Sequence, residues 1–193
     1  IIPFIQLSYW SIFISNEILD ASFFKTVRST LFLALVSAVI ISLISILVTY
    51  LKRLKPKSIT NKFMQIITLG YAIPGPVIAI AVMIPFSTFD NFINQILLEK
   101  FNISIGLFLS GTLFILIFAY CIRFLTVSSR TIKAGLDSVS LSTDEAAKSL
   151  GANNISMFFK IHFHMLKTPL LISFLVVFID IMVLYELIDC IPE

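Results

Sequence analysis

Four segments of the chain are continuously apolar over a length that crosses a bilayer. They are Ser29–Leu51, Phe63–Phe86, Ile105–Thr126 and Pro169 to about Tyr185. A helix needs about 20 mostly apolar residues to span the hydrocarbon core at about 1.5 Å per residue. These runs lack the alternation of a membrane β-barrel strand, so they predict an all-α, polytopic bundle of transmembrane helices. We expect residues 1–193 to form one such domain.

Two further segments predict shorter helices. Residues 1–14 are too short to span and carry Tyr9 and Trp10 near their end, which predicts a partial helix whose aromatic end lies at the interface. Between Ser87 and Ser104, apolar residues recur at helical spacing opposite polar ones: Phe89, Phe92, Ile93, Ile96 and Leu97. This second pattern predicts a short helix lying on the outer membrane surface.

Composition and charge agree with a membrane location. Hydrophobic residues make up 58% of the chain and charged residues 13%, about half the charged fraction of soluble domains. Five basic residues follow the first span and six lie in or beside segment 127–168: Lys52, Arg53, Lys55, Lys57 and Lys62, then Arg123, Arg130, Lys133, Lys148, Lys160 and Lys167. The positive-inside rule therefore predicts that both regions are cytoplasmic. The net charge of +3 reflects this topology, and we expect no nucleic-acid partner.

Segment 127–168 contains the signals of a helix, a turn and a second helix. Ser142 followed by Glu145 is a capping-box pattern, which predicts a helix that starts after Ser142 and stops at Gly151. Asn153 or Asn154 can cap the next helix. Capping is one interpretation of Glu145, and display of the helix pair for docking is the other.

The second of these helices has an apolar side and a polar side. We expect one set of residues to face the bundle: Ile155, Phe158, Phe159, His162, Phe163 and Leu166. The opposite side carries Lys160, His164 and Lys167. Because His162 and His164 point about 200° apart on a helix, they cannot share one metal ion. We predict no metal site and no catalytic group in the chain.

The second span contains a helix-breaking sequence from Gly70 to Pro76. Pro74 and Pro76 have no N–H group, so two carbonyls lose their helical partners and the helix bends or breaks. Irregular backbone at membrane depth is tolerated only beside protein or water. Gly70, Pro74, Gly75 and Pro76 are therefore candidates for a translocation pathway, and a kink for packing is the equal alternative.

Asp180 is an ionisable residue within the last span. It lies about 16 Å beyond Pro169 at helical rise, and a charge at that depth is costly unless it is paired or functional. A carboxylate suits a hard cation such as iron(III). One carboxylate cannot build an iron site, so a hydrogen bond to a neighbouring helix is the interpretation that we favour.

Segment 145–161 resembles the EAA loop of permease subunits in type I ABC importers. The resemblance rests on Glu145, Ala146 and Ala147, then Gly151, then Ile161 at the family spacing. It ends there, because Phe163 and His164 replace the Leu and Pro of the family pattern. Other segments resemble the iron(III)-uptake branch: residues 70–75, 119–125, 134–136 and 177–182.

This resemblance implies a membrane subunit that couples ATP hydrolysis by a separate ATPase to substrate passage. The chain has no phosphate-binding loop of its own, so any powered role requires a separate cytoplasmic ABC ATPase. The other implied partners are an extracytoplasmic substrate-binding protein, a second permease half or subunit, and membrane lipid. The resemblance implies that Glu145 pairs with a basic residue of the ATPase and that Gly151 forms the turn between the two helices. It also implies a location in the cell inner membrane. We expect this subunit to have no enzymatic activity and to bind no cofactor.

The likeness covers only the second half of the usual chain. It starts inside a helix and is lost after Met182, so we expect a fragment, and an inactive truncated permease is one outcome. An ATP-independent secondary transporter or channel is a further alternative, which inverted repeats would support. Importers of thiamine, polyamine and sulfate share much of this sequence pattern, so these compounds are alternative substrates to iron(III).

Overall fold

The computed structural model describes residues 21–54, 60–102, 106 and 108–189. It contains these elements in chain order: α1 (Ala21–Leu54), α2 (Thr60–Gly70), α3 (Gly75–Phe101), α4 (Leu113–Asp137), α5 (Leu141–Ser149), α6 (Asn154–Met157), a π turn (Phe158–His162) and α7 (Phe163–Asp189). No strand occurs in these described ranges, so the predicted all-α fold is confirmed. The partial helix predicted at residues 1–14 lies outside them.

Among the described residues, four helices are long and apolar enough to cross a membrane. They are Phe24–Leu54, Gly75–Phe101, Leu113–Asp137 and Asn154–Leu184, the last formed by α6, the π turn and α7 in succession. The first span was predicted at Ser29–Leu51 and is confirmed, with extra turns at both ends.

The predicted span Phe63–Phe86 is divided between two helices, as the expected bend or break at its prolines indicated. The helix ends at Gly70 and a new one begins at Gly75, with Pro74 as its N-cap and Pro76 in its first turn. A proline is tolerated in a first turn because its missing N–H would have no partner there. The helices α2 and α3 run antiparallel to α4, because residues further along them contact earlier residues of α4. These contacts pair Ile67 with Thr126, Gly70 with Ile122 and Phe86 with Phe118.

The short surface helix predicted between residues 87 and 104 is the second half of α3. The polar residues after Phe86 indicated that the chain leaves the bilayer, but α3 continues to Phe101. Asp90 is buried and its carboxylate accepts hydrogen bonds from the backbone N–H groups of Leu109 and Ser110 and from the Ser110 hydroxyl. Because the protein itself satisfies this charge, the helix does not have to end there.

The third and fourth spans also have different bounds from those predicted. Helix α4 begins at Leu113 and ends at Asp137, and the last long helix begins at Asn154, well before Pro169. The segment between these two spans is therefore residues 138–153, which is shorter than the predicted loop 127–168. Pro169 lies inside α7, and its ring packs over Gly135 of α4, where a Cβ atom would collide with the ring.

The core lies between α1, α4 and α7. Its buried residues are Leu33, Ala34, Ala38, Ile41, Tyr120, Phe124, Val177 and Ile181. Small residues let membrane helices approach closely, and buried hydroxyls bond across the contacts. The Oγ atoms of Ser128 and Ser173 lie 2.6 Å apart between α4 and α7.

Candidate functional site

Helix α5 begins directly after α4. Its N-cap is Ser140, which has extended backbone angles of φ −62° and ψ 145°, and the hydroxyl of Ser140 lies 2.8 Å from that of Thr143. The predicted capping box of Ser142 and Glu145 was wrong, because Ser142 already lies in the first helical turn. Glu145 thus does not cap the helix, and its side chain is exposed.

The end of α5 is a Schellman motif, as the glycine predicted. The N–H of Gly151 donates to the Lys148 carbonyl at 2.9 Å, and the N–H of Ala152 donates to the Ala147 carbonyl at 3.0 Å. Gly151 has φ +79°, a conformation that only glycine adopts without strain. After this turn, Asn153 caps the next helix and its side chain accepts from the N–H of Asn154 at 2.7 Å.

Asp144 fastens α5 to the bundle. The residue is only 7% exposed, and its carboxylate contacts two partners from different helices. Nε of Arg53, at the end of α1, donates to Oδ2 at 2.8 Å, and Nε2 of His162, in the π turn, donates to Oδ1 at 2.8 Å. We call Arg53, Asp144 and His162 the clamp. The clamp joins the end of α1, helix α5 and the start of the last span.

Arg53 also fixes the end of α4. Its Nη1 donates to the Leu136 carbonyl and its Nη2 to the Val139 carbonyl at 2.8 Å. These carbonyls lie at and just after the last turn of α4, where intrahelical partners run out. One guanidinium group therefore satisfies a carboxylate and a helix terminus together, which its fork of donors allows.

Aromatic packing surrounds the clamp. The Tyr50 ring meets the His162 ring edge-on at 5.4 Å between centroids, and it lies 4.7 Å from the Phe158 ring. The Tyr50 hydroxyl donates to the Asn154 carbonyl at 2.9 Å. Buried charges bind more strongly where neighbouring side chains exclude water. These contacts give the clamp its low exposure, with His162 at 0%.

The clamp also sets the protonation of Asp144. Burial by itself raises the pKa of a carboxyl group, but the hydrogen bonds and charges of Arg53 and His162 outweigh it and hold the pKa of Asp144 below its ordinary value. Asp144 is therefore ionised at neutral pH. A carboxylate can only accept, so the Nε2 atom of His162 carries the proton in this contact.

The π turn decides which residues of the last helix face inward. The N–H of Phe163 donates to the Phe158 carbonyl, one residue further back than in an α-helix. The predicted inward stripe was partly wrong for this reason: His162 and Leu166 are buried, but Ile155, Phe159 and Phe163 are exposed. Lys160, His164 and Lys167 are exposed, as predicted. His162 and His164 indeed point to different sides.

The residues of the EAA resemblance lie on both faces of this region. Glu145 and Ala146 are exposed, Ala147 is buried against the bundle, and Gly151 forms the turn. Ile161 is half-buried in the π turn beside the clamp. Exposed apolar side chains accompany them: Leu141, Leu150, Ile155 and Phe159, of which Leu150 is 89% exposed.

The break between α2 and α3 rests against α4. Gly70 is buried, and a Cβ atom there would collide with the backbone carbonyl of Ile122. Nη1 of Arg123 donates to the Ile73 carbonyl at 3.2 Å, and a Cβ atom on Gly75 would lie 3.2 Å from the same Nη1. The helix break predicted from the prolines is confirmed, and an arginine supplies a donor to one of its carbonyls.

Asp180 is half-exposed on α7 and lies within electrostatic range of Arg123. A Cβ atom on Gly75 would also lie 3.9 Å from Cδ1 of Leu184, which is one helical turn beyond Asp180. The structure thus brings the break, a membrane-embedded arginine and a carboxylate into one region. The favoured hydrogen bond of Asp180 to a Ser or Tyr does not occur among the described contacts.

Sequence reasoning missed the clamp and Arg123. Arg53 was counted only as a topology signal, and Arg123 as a topology signal within a segment of the family resemblance. His162 was placed on the inward-facing stripe and rejected as a metal ligand. Two sequence signals point to the clamp. One is His162, a histidine within an otherwise apolar helical stripe. The other is Asp144, an acidic residue next to Glu145, whose presence the EAA pattern already explains. Neither signal identifies the partner, because Arg53 and Asp144 are 91 positions apart.

Comparison with known proteins assigns the chain to a family. Residues 51–189 match the family described as "Binding-protein-dependent transport system inner membrane component". Neither a curated protein nor a solved structure gives a significant match. Permeases of this family are transporters rather than enzymes, and they generally work with an ATPase and a substrate-binding protein. The match covers most of the chain and every helix from the end of α1 onward, and the chain therefore belongs to this family of binding-protein-dependent ABC transport permeases.

Proposed function

We propose that this chain is the membrane-spanning subunit of an importer for iron(III), driven by ATP that a separate cytoplasmic ATPase hydrolyses. In this proposal α5 is the coupling helix, loop 138–153 faces the cytoplasm, and Glu145, Ala146, Ala147, Gly151 and Ile161 form or support the docking element. The membrane is the cell inner membrane. A binding protein on the opposite side delivers the substrate.

The clamp is the observation that supports this proposal most directly. A helix that only connects two spans needs no buried ion pair, whereas a helix that transmits movement must be rigidly attached. Asp144 ties α5 to the ends of α1 and the last span, while Glu145 on the same helix stays exposed. A push on the exposed face of α5 would thus move several spans together.

Exposed apolar side chains support the same role. Leu150 and Ile155 flank the Gly151 turn and are largely exposed, although the loop lies among charged residues. Exposed apolar groups rimmed by polar ones are typical of protein contact surfaces. We propose that this surface is covered by the ATPase, with Glu145 at its polar edge.

A charge reversal at Glu145 tests the proposed docking. Glu145→Lys is expected to abolish substrate uptake and to reduce co-purification of the ATPase, without loss of the chain from the membrane. Glu99→Lys is the matched control, because Glu99 is equally exposed and lies near the end of α3, far along the chain from loop 138–153. Uptake and ATPase recovery that are equal in the two variants would refute the docking role.

The helix break is the proposed pathway element. We propose that the substrate passes along one face of this bundle, opposite a second permease half or subunit. Gly70, Pro74, Gly75 and Pro76 shape the break, and Asp180 adds a carboxylate beside it. Arg123 holds the break through the Ile73 carbonyl. We propose that this region lines the pathway.

Iron(III) is the substrate that the resemblance favours, and Asp180 is compatible with it as an oxygen ligand on the route. Uptake of radiolabelled iron by cells that express the intact system should require this chain, and an excess of thiamine, polyamine or sulfate should not compete. Competition by one of these compounds, with no iron uptake, would reassign the substrate while leaving the docking proposal intact.

A further inference from the structure

A basic cavity opens between α1, α2 and α4. Its volume is about 330 Å³, and its lining residues are Lys52, Met64, Gln65, Thr68, Arg130 and Lys133. Three of the six carry a positive charge and none carries a negative one. The cavity is not part of the clamp, the loop or the helix break.

The charges in this cavity are weakly compensated. The nearest carboxylate contact is an exposed one, from Oδ2 of Asp137 to Nζ of Lys133 at 3.9 Å. Within the described residues, no carboxylate lies within 4 Å of the side-chain nitrogens of Lys52 or Arg130. Three like charges around one space repel each other, and an anion in that space would relieve the repulsion.

The position of the cavity fits a lipid headgroup. Lys52 lies in the last turn of the apolar helix α1, at the depth where basic residues mark the membrane boundary. Gln65 and Thr68 come from α2, and the adjacent stripe of the same helix exposes Ile66 and Leu69, at 64% and 62%. The cationic space thus continues into an apolar surface that is open to lipid.

We propose that the cavity binds the phosphate headgroup of an anionic phospholipid, with its acyl chains along Ile66 and Leu69. Lys52, Arg130 and Lys133 contact the phosphate, as basic pockets between transmembrane helices do. The Gln65 amide can donate to a second headgroup oxygen. The Thr68 hydroxyl already donates to backbone carbonyls at 2.6 and 3.2 Å, so it can accept only from a headgroup hydroxyl and does not bind the phosphate.

Native mass spectrometry of the full chain in nonionic detergent tests this site. Phosphatidylglycerol is titrated against phosphatidylcholine of the same chain length, and we expect phosphatidylglycerol to bind more tightly. Changing Lys52, Arg130 and Lys133 to Gln should weaken its binding on the order of 100-fold, taken from roughly 1 kcal/mol for each basic residue. The matched control changes three exposed lysines elsewhere to Gln: Lys100, Lys160 and Lys167.

Three outcomes would overturn the proposal. Equal loss of binding in the two triple variants would assign the effect to net charge alone. Absence of preference for phosphatidylglycerol would remove the headgroup requirement. Full displacement by inorganic phosphate would make this an ion site rather than a lipid site. A photoactivatable phosphatidylglycerol gives a readout on the unmodified chain, and it should label peptides containing Ile66 or Leu69.

Discussion

Removal of the Asp144 carboxylate should detach α5 from the bundle. In Asp144→Ala the guanidinium of Arg53 loses its only carboxylate partner among the described residues, and His162 loses the acceptor of its Nε2–H group. Both partners stay buried, because Tyr50 and Phe158 still cover them. The variant therefore leaves a buried cation without a counter-ion.

The size of the effect follows from these contacts. Breaking a buried ion pair by removing one partner costs about 3–5 kcal/mol. Arg53 keeps its bonds to the carbonyls of Leu136 and Val139, which places the expected loss near the lower end, at about 3 kcal/mol. Thermal unfolding in detergent and limited proteolysis of loop 138–153 measure the global and the local part of this loss.

The chain provides a matched control in the exposed pair of Lys133 and Asp137. Its atoms are 3.9 Å apart and both side chains are largely exposed, so Asp137→Ala should leave stability almost unchanged. A double-mutant cycle adds a second test: Arg53→Met with Asp144→Leu should cost less than the sum of the single changes, because no unpaired charge remains. Equal effects of Asp144→Ala and Asp137→Ala, or strict additivity in the cycle, would refute the account of the clamp.

Three further predictions follow from the local geometry. Gly151→Ala should destabilise the turn by about 1 kcal/mol, since its φ of +79° strains any side chain, and hydrogen exchange of the loop would detect it. Gly70→Ala should destabilise the folded protein by about 1–3 kcal/mol, because the new Cβ atom would collide with the Ile122 carbonyl. Gly75→Ala should destabilise it less, because the neighbouring group is the flexible end of the Arg123 side chain. The melting temperatures of the two variants test this order. Because the folded pKa of Asp144 is lowered, its contribution should be present above about pH 4 and lost as the pH falls through the folded pKa. Asp144→Asn should remove this acid dependence in unfolding experiments, and an unchanged dependence would assign it to other carboxyl groups.

The local features of the fold were predictable from the sequence. Continuous apolar runs indicated the helices, two prolines indicated the break, and one glycine indicated the turn after α5. Each of these signals acts through the residue's own backbone, so no knowledge of the fold is required. The family resemblance of segment 145–161 likewise depends on nearby residues.

The errors arose where a distant group decides the outcome. The end of α3 was misplaced because Asp90 finds its donors at Leu109 and Ser110, across the next connection. The inward face of the last helix was misplaced because a single π turn shifts the register by one residue. By contrast, the start of α5 was misplaced by two residues for a local reason, because Ser140, Ser142 and Thr143 are all N-cap residue types, and the helix begins after the first of them.

The central claim is that α5 is the surface to which an ABC ATPase docks. Ala146 is the best position for a photo-crosslinking amino acid, because it is exposed on α5 whereas its neighbour Ala147 is buried. Irradiation of native membranes should link this position to an ABC ATPase, and the same probe at Glu99 should not form that adduct. Absence of an ATPase adduct from Ala146, in a chain that is intact and membrane-inserted, would contradict the account.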